Sequence, residues 1–220
     1  MGLVPAFPVY LFDLDGTLLD SAADICGAIQ QVLAGAGCKT VGFEFLKRYI
    51  GLHLTELFSD VLPDYSAAQI DELIRQYLGV YATRGHAQTK PYPGVREALA
   101  LIAGRKATAT TKPTQRTRAI LEQFELARYF DHVQGTDGFP SKPAPDVILA
   151  ALAALGADPE DCLMVGDAPS DMEAGRRAGV KICAVHYGYG KPEELARFDP
   201  DYWVDDLRAL VPAQGRSASV

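Results

Sequence analysis

Two carboxylates follow the first apolar segment of the chain at a spacing that suits a shared site. Asp13 and Asp15 come directly after the run 9–12 and stand two positions apart. While a backbone is extended, side chains two positions apart point to the same side. Two neighbouring carboxylates repel each other, and a hard divalent cation with oxygen ligands removes that conflict. Gly16 permits a sharp turn that exposes backbone N–H groups to an anion, so this segment predicts a site for a metal ion and an anion.

Two later segments carry groups that bind anions. Thr110 and Thr111, followed by Lys112, offer hydroxyls, backbone amides and a cation. Lys142 stands just before a segment with helical spacing, where its ammonium group and the helix dipole both favour a nearby anion. These segments are typical of phosphate-binding sites.

A second acidic pair follows a later apolar run. Asp167 and Asp171 are four residues apart, which keeps both carboxylates near one face of the turn that follows. Each feature alone has a simpler explanation, since an Asp-rich turn, a solvated lysine or a helix cap is common. All four groups nevertheless fall in chain order at predicted strand ends, and together they predict one catalytic crevice.

Short apolar runs alternate with segments of helical spacing along most of the chain. This alternation predicts an α/β fold with a doubly wound parallel sheet, in which ligands bind beyond the carboxyl ends of the strands. The predicted strands are 9–12, 107–110, 132–134, 162–165 and 181–185, and the predicted helices between them are 94–103, 114–124, 145–155 and 170–178.

One long segment breaks the alternation. Residues 21–90 contain helical stretches at 21–33, 43–50 and 67–81 and no convincing strand. We therefore predict a core made of residues 1–20 and 91–220, with residues 21–90 inserted as a helical cap domain.

Composition excludes several classes of protein. The chain has 220 residues, 48% of them hydrophobic, which excludes disorder. Lys and Arg number 21 against 28 for Asp and Glu, which argues against a nucleic-acid partner. No apolar run is long enough to span a membrane, and the four cysteines lack metal-ligand spacing. We expect a cytoplasmic protein without membrane or nucleic-acid partners.

The four chemical segments resemble the signature motifs of haloacid dehalogenase-like phosphohydrolases. The resemblance covers nearly the whole chain and implies a Rossmann-like core with a helical cap inserted after the first strand. The matching segments read Asp13-Leu-Asp-Gly-Thr, Thr110, Lys142-Pro and Gly166-Asp-Ala-Pro-Ser-Asp171.

The resemblance also implies a role for each matching residue. Asp13 would attack phosphorus to form an aspartyl phosphate, and Asp15 would protonate the leaving alcohol and then activate water. Thr110 and Lys142 would hold the phosphoryl oxygens. The implied Mg²⁺ ligands are the carboxylates of Asp13 and Asp167 and the main-chain carbonyl of Asp15, with Asp171 weakly coordinated or bonded to a metal-bound water; the implied substrate contacts are Leu14, Gly16 and Thr111.

Within this family the chain looks like the phosphoglycolate phosphatase branch. The supporting patterns are 13–25, Ile50-Gly51 and Gly188-Tyr-Gly190. Thr111 stands where many relatives carry Asn, and Lys47-Arg48 stand where an Arg is common. We therefore expect a small phosphorylated metabolite as substrate, with 2-phosphoglycolate first, and take Lys47 and Arg48 as candidates for contacts with its carboxylate. The simplest alternative for both is a surface charge on a helix.

Other functions on the same scaffold stay open. Sugar phosphates, nucleotides and pyrophosphate are alternative substrates. A phosphomutase is disfavoured because residues 24–26 contain no His or Lys, and a dehalogenase is disfavoured because it needs no acid at Asp15. A non-enzymatic switch phosphorylated on Asp13 is disfavoured because Asp15 would shorten the lifetime of its phosphate. The sequence does not choose between a monomer and a homodimer.

Overall fold

The computed structural model describes residues 4–212 and confirms the predicted α/β fold. None of the helices in this part of the chain has both the length and the apolar character needed to cross a membrane. The strands are β1 Val9–Phe12, β2 Leu19–Asp20, β3 Lys90–Pro91, β4 Arg105–Thr108, β5 Cys162–Gly166, β6 Lys181–Val185 and β7 Tyr202–Val204. The α-helices are α1 Ala22–Gly35, α2 Phe43–Lys47, α3 Leu54–Val61, α4 Ala67–Thr83, α5 Val95–Leu101, α6 Thr114–Gln123, α7 Asp146–Leu155, α8 Pro169–Ala178 and α9 Pro192–Leu195.

Within residues 4–212 the main sheet has five parallel strands in the order β4-β1-β5-β6-β7. The central strand β1 is apolar on both faces. Tyr10 and Phe12 pack with α5 and α6, whereas Val9 and Leu11 pack with α7 and α8. Because successive side chains on a strand point to opposite faces, one short apolar run supplies both core layers. The predicted doubly wound arrangement is confirmed.

Two strand predictions were inaccurate. The strand predicted at 107–110 begins earlier, at Arg105. Its start was not predicted because Arg105 and Lys106 are cationic and interrupt the apolar pattern. Lys106 is buried there and donates hydrogen bonds from Nζ to the carbonyl oxygens of Ile102 and Gly104, both at 2.8 Å. The strand predicted at 132–134 is wrong, since this segment makes only an isolated bridge between His132 and Ala107.

The fifth strand of the sheet was missed by the sequence analysis. β7 pairs with β6, with Tyr202 opposite Cys183 and Val204 opposite Val185. It has three residues, and only Val204 is fully buried. A strand so short and so exposed gives no clear apolar pattern.

Helices α1 to α4 lie between β1 and β4 in sequence and form a helical insertion, which we call the cap. The cap has its own apolar cluster, which includes Ile29, Leu57 and Phe58. The chain enters and leaves it through an antiparallel pair, Leu19 opposite Pro91 and Asp20 opposite Lys90. The predicted domain boundaries at 20/21 and 90/91 fall at this pair and stay a prediction. Helix α3 was missed because Leu57 and Phe58 are its only buried residues.

Candidate active site

The carboxylate of Asp13 lies at the carboxyl end of β1, in the interior of the protein. Its backbone N–H donates to the carbonyl of Val165 at 3.0 Å, which continues the pairing of β1 with β5. Only 4% of Asp13 is exposed, and its Oδ1 accepts a hydrogen bond from Lys142 Nζ at 2.7 Å. The sheet therefore fixes this carboxylate beside a cation.

Lys142 is also buried, and its ammonium group is fully engaged. Besides Asp13 Oδ1, Nζ donates to Asp171 Oδ1 at 2.5 Å and to the carbonyl of Ala109 at 2.8 Å. An ammonium group has three donors, so each of them has an acceptor. Burial acts to lower the pKa of Lys142, but Asp13 and Asp171 outweigh this effect and the pKa is raised. Lys142 therefore stays charged at the centre of the site.

Asp167 follows β5 and is enclosed by small residues. Its Oδ1 accepts from Thr17 Oγ1 at 2.9 Å, and its Oδ2 accepts from the backbone N–H of Tyr189 at 2.8 Å. A Cβ added at Gly16, whose φ is +89°, or at Gly188 would overlap the Asp167 side chain. The two glycines therefore let neighbouring loops approach this carboxylate closely.

Asp171 has a structural role as well as a place in the site. Its Oδ2 accepts the backbone N–H groups of Asp167 at 3.1 Å and Ala168 at 2.9 Å, at the beginning of α8. This is the helix-capping explanation considered from the sequence. Its Oδ1 meanwhile contacts Lys142, so capping fixes the carboxylate in the crevice.

Three of the four predicted metal-binding aspartates lie together. Asp13, Asp167 and Asp171 are buried, and each contributes an oxygen to a group whose atoms lie within 4.8 Å of one another. Burial raises the pKa of Asp13 to about 7; Lys142 acts to lower it, and Asp171 and Asp15 act to raise it. Burial, followed by Asp171 and Asp13, raises the pKa of Asp167 well above its usual value. Crowded, desolvated carboxylates of this kind suit a divalent cation, which would offset their repulsion.

The side chain of Asp15 does not join this group of three. Its Oδ1 accepts from Ser21 Oγ at 2.5 Å, and its Oδ2 pairs with Lys112 Nζ at 2.6 Å. Burial acts to lower the pKa of Lys112, but Asp15 and Tyr77 outweigh it and the pKa is raised. The two carboxylates after β1 therefore have different cationic partners on neighbouring sides of the crevice.

The remaining predicted phosphate contacts lie at the same end of the sheet. Thr110 is 1% exposed, and its hydroxyl oxygen accepts a long 3.4 Å contact from the N–H of Lys112. The Leu14 side chain is part of the core. Within residues 4–212, the backbone N–H groups of Leu14, Asp15 and Thr111 have no protein acceptor. Free N–H groups beside a cation are suited to an oxyanion.

A cavity of about 350 Å³ between the cap and the core opens onto Asp15. Its core wall is polar and includes Thr111, Lys112 and Arg116. Its cap wall is mostly hydrocarbon and aromatic. The cap residues that line it include Ile25, Ile29, Ile50, Leu52, Leu54, Leu57, Ile74, Tyr77, Leu78 and Tyr81.

Lys47 and Arg48 do not line this cavity. Lys47 Nζ lies 5.2 Å from the centroid of the Tyr189 ring, and the guanidinium of Arg48 lies 4.6 Å from that of Phe45. Both face a separate cleft beside Tyr189 and Lys191. The structure does not bring these two residues to Asp15.

Sequence reasoning noted Lys112 but did not select it, and it passed over Tyr81 and Arg116. Lys112 stands two positions after Thr110, so it lies on the same predicted strand end. Tyr77 and Tyr81 are four residues apart on α4, a spacing that stacks their rings 5.5 Å apart. No pattern in the sequence indicates that this tyrosine pair lines the cavity between the cap and the core.

Comparisons with known proteins agree with this architecture. The chain belongs to the haloacid dehalogenase-like hydrolase family, whose sequence profile matches residues 10–185. A solved structure of a haloacid dehalogenase-like family hydrolase from Streptococcus pneumoniae superposes with a TM-score of 0.85 at 26% identity, over 91% of this chain and 95% of the other.

Several relatives carry a more specific name, including proteins of Pseudomonas aeruginosa and Aquifex aeolicus. Phosphoglycolate phosphatase 1 of Pseudomonas aeruginosa is 32% identical over 220 residues, which cover 96% of this chain and 80% of that protein. Phosphoglycolate phosphatase of Aquifex aeolicus is 37% identical over 187 residues, which cover 83% of this chain and 86% of that protein. The predicted resemblance is confirmed at the level of the family.

Proposed function

We propose that this chain is a Mg²⁺-dependent phosphatase that hydrolyses a small phosphomonoester, with 2-phosphoglycolate as the first candidate. The observation that carries the proposal is the buried Asp13–Lys142 pair beside Asp167 and Asp171. Negative charge spreads over the oxygens of a phosphoryl group in transfer, so a site for it needs fixed positive charge and N–H donors. The names of the two relatives support the substrate.

The residues present fit a divalent cation. The carboxylates of Asp13 and Asp167 and the main-chain carbonyl of Asp15 would hold it, with Asp171 at the edge of the group. When bound, the cation would supply positive charge to the phosphoryl oxygens and offset the charge of the carboxylates.

Asp13 is the nucleophile in this proposal. One carboxylate oxygen forms a bond to phosphorus while the bond from phosphorus to the alcohol oxygen breaks, which leaves an aspartyl phosphate. Lys142 orients the other carboxylate oxygen and offsets charge. The phosphoryl oxygens are bound by the N–H groups of Leu14 and Thr111 and by the hydroxyl of Thr110. Gly16 has no side chain and so lets the backbone approach these oxygens closely.

Asp15 is the acid and base in this proposal. In its protonated form Asp15 gives a proton to the departing alcohol oxygen. The resulting carboxylate then takes a proton from the water that attacks the aspartyl phosphate, which releases inorganic phosphate and restores Asp13 and protonated Asp15. Ser21 and Lys112 hold the Asp15 carboxylate in place. Ser21 begins the cap, so this contact couples the cap to the acid.

The cap is proposed to act as a separate domain, residues 21–90, over a core of residues 1–20 and 91–220. Its own apolar cluster and its paired entry and exit strands support this division. Closure over Asp15 would exclude bulk water and enclose the leaving group.

A cytoplasmic location and a monomeric or homodimeric state complete the proposal. The four cysteines are free, which agrees with a reducing compartment.

Phosphate release from a panel of substrates tests the proposal. The panel contains 2-phosphoglycolate, a sugar phosphate, a nucleoside monophosphate and pyrophosphate, each with and without Mg²⁺. We expect wild-type protein to release phosphate only with the metal, and Asp13→Asn to reduce turnover about a thousandfold or more. Asp161→Asn is the matched control. Asp161 is exposed and precedes the first residue of β5, at the end of the strand away from the site.

Two outcomes would contradict the proposal. Full activity of Asp13→Asn would show that Asp13 is not the nucleophile. A wild-type protein that becomes phosphorylated yet releases no phosphate would instead support the phospho-aspartate switch.

A further inference from the structure

Among residues 4–212, one cation that lines the cavity between cap and core has no protein partner. Lys112 is neutralised by Asp15 at 2.6 Å. Arg116, on the first turn of α6, lines the same cavity and is half-buried. Among residues 4–212 no carboxylate or other acceptor pairs with its guanidinium. Because most of the surrounding wall is hydrocarbon, an unpaired charge here interacts strongly with an anion that enters.

The cap contributes Tyr81, a tyrosine with a buried hydroxyl, to the lining of the same cavity. Tyr81 is 1% exposed, and its hydroxyl has no hydrogen-bond partner in the described part of the chain. Burial raises the pKa of this phenol, Asp15 and Asp24 raise it further, and Arg116 acts to lower it. The hydroxyl is therefore protonated at neutral pH and able to donate. A buried donor without an acceptor is costly, which is why most such groups in proteins are paired.

We propose that Arg116 and Tyr81 together bind a second anionic group of the substrate, a carboxylate carried by the leaving alcohol. This inference rests on the proposed phosphatase function and narrows its substrate class. It moves the selecting cation from the cap residues Lys47 and Arg48 to the core helix α6.

Physical reasons favour a carboxylate over a neutral polar group. Burying a carboxylate against a hydrocarbon wall is expensive unless cations and donors meet it. Arg116 supplies the charge and planar N–H donors, and Tyr81 supplies an O–H from the opposite wall. An alcohol without a charge would leave the half-buried guanidinium of Arg116 unpaired, so Arg116 and Tyr81 together would discriminate against such a substrate.

A matched pair of substrates tests this inference. In 2-phosphoglycolate and 2-phosphoglycolamide a carboxylate is exchanged for an amide of the same size. We expect wild-type protein to favour the carboxylate in kcat/KM by about tenfold or more, since hydrogen bonds to charged groups contribute that much. Arg116→Gln should bring the ratio close to one, mainly through KM, and Tyr81→Phe should reduce it partly.

The helix that carries Arg116 offers a matched control. Arg118 lies on α6, is exposed and does not line the cavity. Arg118→Gln should keep the wild-type ratio, and Arg116→Lys should restore part of the preference because it restores the charge. Turnover of p-nitrophenyl phosphate, which has no carboxylate, shows whether each variant is folded.

The outcomes separate this inference from the proposed function. Active wild-type protein without a preference for the carboxylate, or Arg116→Gln with the preference intact, would overturn the inference alone. Wild-type protein that releases phosphate from no phosphomonoester would overturn the proposed function and the inference with it.

Discussion

The core residues of the proposed reaction and the residues that line the rest of the cavity differ in how their polar groups are satisfied. In the core, Lys142 is bonded to Asp13 and Lys112 to Asp15, whereas Arg116, which lines the cavity with Lys112, has no partner within residues 4–212. On the cap wall, hydrocarbon predominates and the Tyr81 hydroxyl has no partner in the part of the chain that the structure describes. In this proposal the paired core charges are organised in advance for one reaction, whereas Arg116 and the cap wall hold groups for the variable part of a substrate.

Removal of the Lys142 charge should disrupt the buried core site and have the largest effect. We expect Lys142→Met to lower turnover about a hundredfold to a thousandfold, because one fixed positive group at the phosphoryl site is lost. It should also destabilise the protein by about 3 kcal/mol, since the buried carboxylates of Asp13 and Asp171 lose their counter-charge. Phosphate release and urea unfolding measure the two effects.

A second buried lysine provides the control. Lys106 donates to carbonyl oxygens at the beginning of β4, at the opposite end of the sheet. Lys106→Met should leave turnover near the wild-type value. Equal losses of turnover in the two variants would mean that Lys142 acts only through folding.

Weakening the hydrogen bonds between α1 and the segment that leaves the cap should have an intermediate effect. Asp24 on α1 accepts hydrogen bonds from the N–H of Gln88 at 2.9 Å and from Thr89 Oγ1 at 2.8 Å, on the segment that leaves the cap. We expect Asp24→Asn to lower the free energy of unfolding by about 2 kcal/mol, because bonds to a buried charge are lost. Urea unfolding measures the change.

An exposed aspartate on the cap helix α4 is the matched control for this effect. Asp71→Asn should change the free energy of unfolding by less than about 0.5 kcal/mol. If Asp24→Asn were as stable as Asp71→Asn, the hydrogen bonds of Asp24 to Gln88 and Thr89 would contribute nothing to stability.

The smallest effect should come from substituting the cap cations that do not line the cavity. Lys47 and Arg48 face the cleft beside Tyr189 and not the cavity at Asp15. We expect the double variant Lys47→Gln, Arg48→Gln to change kcat/KM for 2-phosphoglycolate by less than about twofold, because neither residue lines the cavity at Asp15. A tenfold rise in KM would mean that a cap cation selects the substrate and would contradict the assignment of this role to Arg116.

The core site could be predicted from sequence because it depends on short-range patterns. Asp13 and Asp167 each follow an apolar strand and Thr110 follows β4, and the ends of parallel strands meet at one edge of the sheet. Helical spacing likewise located most of the cap. These signals require no knowledge of how distant segments pack.

The rest could not be predicted because it depends on how the cap meets the core. Nothing in the local sequence distinguishes Arg116 from Arg118, although only Arg116 lines the cavity. Lys47 and Arg48 were selected by their position in a motif, and their orientation is decided by packing against Tyr189 and Phe45. The short strand β7 was missed because its neighbours, and not its own composition, place it in the sheet.

The central claim is that the buried carboxylates form a divalent-cation site, and calorimetric titration with Mg²⁺ tests it most directly. We predict that wild-type protein and the control Asp161→Asn bind a single Mg²⁺ ion, and that Asp167→Asn weakens binding by about tenfold or more, because a carboxylate ligand is lost. Binding of Mg²⁺ by Asp167→Asn as tightly as by the wild type would contradict the account.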